Sequence, residues 1–130
     1  MTSLQSNSIR PGVKPTGLSR LLKAFGNTGK GLMGCWREEA AFRQECVRAV
    51  ILIPAGIWLG HTGVERALLV APILLVLVVE LLNSAIEATI DRIGAERHAL
   101  SGLAKDLGSA AVFLAFLMLG ISWILILASH

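Results

Sequence analysis

The chain has 130 residues, of which 54% are hydrophobic and only 16% charged, with a formal net charge of +3. A soluble domain this short exposes much surface and needs more polar residues to cover it. The composition, with a mean hydropathy of +0.66, therefore excludes an ordinary soluble domain and points to a polytopic membrane protein. The two cysteines, Cys35 and Cys46, form neither a disulfide framework nor a CxxC metal site and read as small unpaired side chains.

Residues 1–16 are polar and include Pro11, Gly12 and Pro15, the composition of a disordered tail. No signal peptide is expected, because the first apolar run comes late and no small-residue cleavage site follows it. Residues 17–34 read as a short amphipathic helix broken by glycines. Leu18, Leu21, Leu22 and Phe25 recur at helical spacing with Arg20, Lys23 and Lys30 between or after them, the pattern of a helix lying in a membrane interface. Within it, Gly26-Asn27-Thr28-Gly29-Lys30-Gly31 resembles a phosphate-binding loop only superficially. The glycine spacing is wrong, no Ser or Thr follows the lysine, and no strand precedes it. Residues 36–48 are strongly charged and helical. Glu38 and Glu39 are adjacent there, about 100° apart on a helix, so only one of them can face a given site.

Three spans follow. Val47–Leu59 is apolar apart from Arg48 and falls short of the ~20 residues a span needs, but Ala40, Ala41 and Phe42 can extend it. His61–Arg66 is a tight polar turn. Ala67–Ile90 is the second span; from Arg66 to Arg92 a helix covers ~39 Å, close to the ~40–45 Å of a bilayer with its headgroups. Arg92–Lys105 is a polar connector, closed by Lys105-Asp106. Ala110–Leu127 is the third span, in which Ala110, Ala111, Ala115 and Gly120 allow close helix approach. The architecture predicted is all-α and integral to the membrane: a surface helix plus three transmembrane helices, over about 47–61, 67–91 and 108–128, in one domain from 17 to 130. Trp36, Trp58 and Trp123 read as interfacial anchors, and His61 and His130 as loop and terminal residues.

Of the 12 Lys and Arg residues, all but Arg66 lie in the N-terminal region or the second connector. The positive-inside rule makes both cytoplasmic, so the second span runs inward. Its inner end carries Glu80, Asn83, Glu87 and Asp91 at i, i+3, i+7 and i+11, within an arc of roughly 80°, with Ser84 beside them. Glu80 lies ~21 Å along the axis from Arg66, past the midplane. Ionisable groups at membrane depth are expensive and mark function. A stripe of hard oxygens at an interface suits a divalent cation, an ion or proton relay, or acid–base pairing between packed helices; meeting of a soluble phosphate donor and a membrane lipid favours the first over the second.

The sequence Glu80-Leu-Leu-Asn-Ser-Ala-Ile-Glu87-Ala-Thr-Ile-Asp91-Arg resembles the signature helix of the prokaryotic diacylglycerol kinase family. The likeness continues in Glu39-Ala-Ala-Phe-Arg-Gln-Glu45 and in Leu100-Ser-Gly-Leu-Ala-Lys105-Asp106-Leu-Gly-Ser109-Ala-Ala, three blocks in family order and spacing that cover the chain from about Gly17 to its end. The resemblance implies a homotrimeric enzyme of the bacterial inner membrane, N-terminus cytoplasmic, with active sites between protomers. It phosphorylates diacylglycerol to phosphatidic acid with ATP as co-substrate and Mg²⁺ as cofactor, and involves no nucleic acid. It further implies Glu80 as general base toward the lipid hydroxyl and Asn83 as a catalytic residue near the γ-phosphate. Glu39 and Glu87 hold the metal. Arg20, Glu96, His98, Lys105 and Asp106 join them around ATP, and Arg20, Gln44, Glu45 and Ser109 serve the lipid with Glu80. Asn27 and Arg97 replace aromatics that the family often has near the nucleotide, which puts contacts there in question. Asp91 is set aside as a residue that caps or pairs with Arg92. Undecaprenol kinase, with the same mechanism, and a non-catalytic small membrane carrier or assembly protein are the competing readings. No Walker motif or protein-kinase signature is present.

Overall fold

A computed structural model describes residues 16–94 and 96–130, so all but the last residue of the expected tail lies outside it. The described residues form four helices and no strand: α1 Gly17–Glu38, α2 Ala40–Leu59, α3 Gly63–Ile93 and α4 Ala99–Ala128. The chain divides into two compact units, Met1–Gly31 and Leu32–His130. In the first, the described residues are the opening turns of α1, where Leu18, Leu21, Leu22 and Phe25 are all exposed. The helix is continuous, not broken by glycines as the sequence suggests. None of its glycines has positive φ, and each costs only about 1 kcal/mol in a helix interior, which weakens the helix without ending it.

In the second unit, α1 ends where Glu39 turns extended, at φ −118° and ψ 108°. Arg43 Nη1 donates to the carbonyls of Trp36 and Arg37 at 2.7 and 3.2 Å, partnering groups that the helix end leaves free. The charged segment 36–48 is thus divided. Its first residues finish α1, and the rest joins the first apolar run as one helix, α2. With Arg43, Glu45 and Arg48 in its first half, α2 is not counted among the helices apolar enough to cross a membrane; α3 and α4 are. Their 31 and 30 residues each extend ~45 Å.

Helix α3 lies between the other two, packing against both α2 and α4. Thr62 caps its first turn, accepting from Glu65 N at 3.1 Å. The α2–α3 turn is tight: a Cβ on Gly60 would come within 2.9 Å of Arg66 N, and Arg66 Nε donates to Ile57 O at 2.9 Å. Further in, Gly56 lets α2 approach until a Cβ there would stand 3.1 Å from that of the fully buried Leu69. Pro72 has no N–H for Leu68 O and loosens the turn. The neighbouring carbonyl, Leu69 O, accepts from Trp123 Nε1 at 2.9 Å. Trp123 is therefore a half-buried clip between α3 and α4, whereas Trp58, 82% exposed, faces outward.

At its other end α3 stops at Gly94, whose φ of +155° suits glycine and whose N–H donates to Ile90 O. Helix α4 then begins at Ala99, six residues before the predicted end of the connector. His98 caps it by accepting from Leu100 N at 3.1 Å, and the segment from Leu100 to Lys105 contains no proline to prevent helix. Lys105 and Asp106 accordingly sit on a helix and not in a loop.

Candidate functional site

The polar stripe on α3 lies beside the end of α1, the first half of α2 and the beginning of α4. Glu80 and Glu45 are the two buried polar residues of the described core, each about 7% exposed. Glu80 lies within Coulombic reach of Glu45, Glu39 and Glu87. Four carboxylates thus gather where α2 and the Glu39 break face α3. Glu38, next to Glu39, is exposed, while Glu39 is half-buried. The extended backbone at Glu39 separates the two. Glu45 is engaged by Arg48 one turn on, in an i,i+3 ion pair. Cys35, buried at the end of α1, reaches Ser84 Oγ with its thiol at 3.6 Å and ties that end to α3.

Asn83 sits one turn along from Glu80. Its Nδ2 donates to Glu87 Oε1 at 3.3 Å, and its Oδ1 is buried with no hydrogen-bond partner among the described residues. That amide occupies space created by Gly108 on α4, where a Cβ would collide with Oδ1. Gly108 is a site-shaping residue that sequence reasoning missed. It stood inside the third motif block, but only the packing of α4 on α3 shows why it must be small. An unpartnered buried acceptor costs about 1–3 kcal/mol, so the packing of α4 at Gly108 holds Asn83 in place at some cost.

Beyond Ile90 the helices open into a cleft of ≈ 480 Å³. Glu96, His98 and Lys105, three of the predicted nucleotide residues, line it, together with Asp91, Arg97 and Ser101. Arg97, which stands where an aromatic was expected, does face this cleft. Asp91 pairs with Lys105 at 3.8 Å and not with Arg92; both side chains are more than half exposed, so the pair is weak. Asp106 and Ser109 are exposed on α4 outside that lining, and Arg20 is exposed on α1. Gln44 lines a second, shallow cleft with Trp36, Arg43, Val47 and Arg48.

The donor chemistry fits Mg²⁺. Glu39 and Glu87 supply hard carboxylate oxygens, and Asn83 Oδ1 is a buried oxygen without a partner. Mg²⁺ commonly takes one or two carboxylates and completes its shell with water and phosphate. Three protein donors close enough to share an ion occur elsewhere: among the described residues that group is His61, Glu65 and His130, toward the opposite end of α3.

Helix α3 thus carries a buried carboxylate, Glu80, with Asn83 one turn on, and ends at a polar cleft. The family model for prokaryotic diacylglycerol kinase matches residues 26–127. The chain is 50% identical over 115 residues to the diacylglycerol kinase of Escherichia coli (strain K12), covering 88% of this chain and 94% of that one. It is 52% identical over 112 residues to the diacylglycerol kinase of Pseudomonas aeruginosa, covering 86% and 91%, and 39% identical over 110 residues to that of Helicobacter pylori (strain 26695), covering 85% and 86%. The chain belongs to the prokaryotic diacylglycerol kinase family and is an enzyme.

Proposed function

We propose that the chain transfers the γ-phosphoryl group of ATP to the primary hydroxyl of diacylglycerol, giving phosphatidic acid and ADP. The observation that carries this reading is buried Glu80 one turn from the Asn83–Glu87 hydrogen bond, on an apolar helix that ends at a polar cleft. Glu80 accepts the proton of the lipid hydroxyl. The freed oxygen attacks the γ-phosphorus, the bond from that phosphorus to the β–γ bridging oxygen breaks, and ADP leaves with the electron pair. Asn83 fixes Glu87 through its Nδ2. Glu39 and Glu87 would hold Mg²⁺, which would supply positive charge to neutralise phosphate oxygens. Lys105, Glu96 and His98 receive the nucleotide in the cleft, with Asp106 and Arg20 completing the contacts; Arg20, Gln44, Glu45 and Ser109 receive the lipid.

Three spans, α2, α3 and α4, cross the bacterial inner membrane with the N-terminus cytoplasmic, in keeping with the distribution of Lys and Arg. Alpha1 lies on the membrane surface through its exposed leucines. Copies assemble as a homotrimer with sites between protomers, which accounts for predicted site residues that stay exposed within one chain. Purified protein in mixed micelles with MgATP and diacylglycerol should release ADP and form phosphatidic acid, and faster than it phosphorylates undecaprenol in a parallel assay. Faster turnover of undecaprenol would reassign the acceptor, and no turnover of either lipid would overturn the kinase reading.

A further inference from the structure

Phosphoryl transfer leaves unused a cluster at the other end of α3. Glu65 lies in its first turn, ~22 Å along the axis from Glu80. Its Oε2 accepts from His61 N at 2.7 Å and lies 3.1 Å from Nε2 of His130, which follows α4 and is 65 residues away in sequence. The rings of His61 and His130 stack, with centroids 3.7 Å apart and planes inclined by 11°. One ligand atom from each of the three residues lies within 4.8 Å of the others. The Glu65 and His130 side chains are only about one-fifth exposed, at 22% and 21%, yet still open to ions from water.

We propose that His61, Glu65 and His130 bind one divalent d-block cation of the zinc class. Two imidazole nitrogens with one carboxylate form a donor set that selects such ions over Mg²⁺ or Ca²⁺, which prefer all-oxygen shells. The carboxylate is already aimed, because Thr62 fixes the first turn and the His61 N–H holds Oε2. Stacked rings keep their lone pairs in nearly parallel planes, so binding turns one imidazole out of the stack until both nitrogens converge on one ion. The ion takes the place of the contact between His130 Nε2 and Glu65 Oε2. The negative end of α4 favours the cation, the positive end of α3 opposes it, and Glu65 supplies the formal charge that decides the balance.

The test uses untagged full-length protein in detergent, freed of metal with chelator, and titrated with Zn²⁺ by calorimetry and with Cu²⁺ by electron paramagnetic resonance. Wild type should bind one Zn²⁺ per chain, and bound Cu²⁺ should show splitting from two nitrogens. His61→Ala and His130→Ala should each weaken Zn²⁺ binding at least about tenfold and remove one nitrogen. The pair Glu39→Gln and Glu87→Gln, and separately His98→Gln, should leave site and spectrum intact. A wild-type spectrum without two nitrogens overturns the assignment whatever the variants do, as does equal Zn²⁺ affinity in wild type and a variant carrying both His61→Ala and His130→Ala.

Discussion

The two ends of α3 treat polar groups in opposite ways. At the Gly63 end they close on one another: Thr62 on Glu65, Glu65 on His61 and His130, Arg66 on Ile57, Trp123 on Leu69. At the other end they stay open. Glu80 is buried among carboxylates, Asn83 Oδ1 has no partner in the described structure, and Asp91 and Lys105 meet only loosely over a cleft. A helix end that must only hold the bundle can satisfy its own hydrogen bonds. One that, on the proposed reaction, takes a hydroxyl proton and a cation has to leave acceptors for them, at a cost in stability that the rest of the helix offsets.

The sharpest way to break this contrast is at the open end. Glu80→Gln removes the proposed base and should lower kcat by ~10²–10⁴, measured as turnover at saturating lipid and MgATP. Glu39→Gln and Glu87→Gln should each raise the Mg²⁺ needed for half-maximal rate by about 10–100-fold, the worth of a charged contact; a Mg²⁺ titration of the rate checks it. Gly108→Ala should force Asn83 out of its place between α3 and α4, cutting kcat and costing about 1–3 kcal/mol of stability in a denaturation series. Gly94→Ala places a Cβ where φ is +155° and should cost about 1–3 kcal/mol, with nucleotide affinity falling as the cleft shifts. Smallest comes the closed end: Trp123→Phe loses one hydrogen bond, about 1 kcal/mol by thermal unfolding, and leaves kcat unchanged.

What the sequence made legible follows from local spacing. The helical period put Glu80, Asn83 and Glu87 on one face, and hydropathy located α3 and the body of α4. Local spacing has no access to contacts made across the bundle. Trp123 and Leu69 are 54 residues apart, and nothing near Trp123 signals that its indole closes on the Leu69 carbonyl. His61 and His130 look like a loop residue and a terminal one until the packing of α3 on α4 brings them together. Helix ends were misplaced for a related reason. Continuity of α1 through its glycines and the early start of α4 at Ala99, capped by His98, depend on weak local preferences that one capping bond can tip. The residues expected around ATP and lipid fall into two groups: those that the single chain gathers, such as Glu80, Asn83 and Glu87 or Glu96, His98 and Lys105, and those left exposed, such as Arg20, Asp106 and Ser109.

The central claim is that the open end carries the chemistry and the closed end the scaffold. Its most direct test measures kcat for Glu80→Gln and Trp123→Phe side by side, with diacylglycerol and MgATP saturating and both variants matched to wild type in helix content. Loss of at least about a hundredfold in the first, with wild-type turnover in the second, is the predicted result. Wild-type kcat in Glu80→Gln would contradict it.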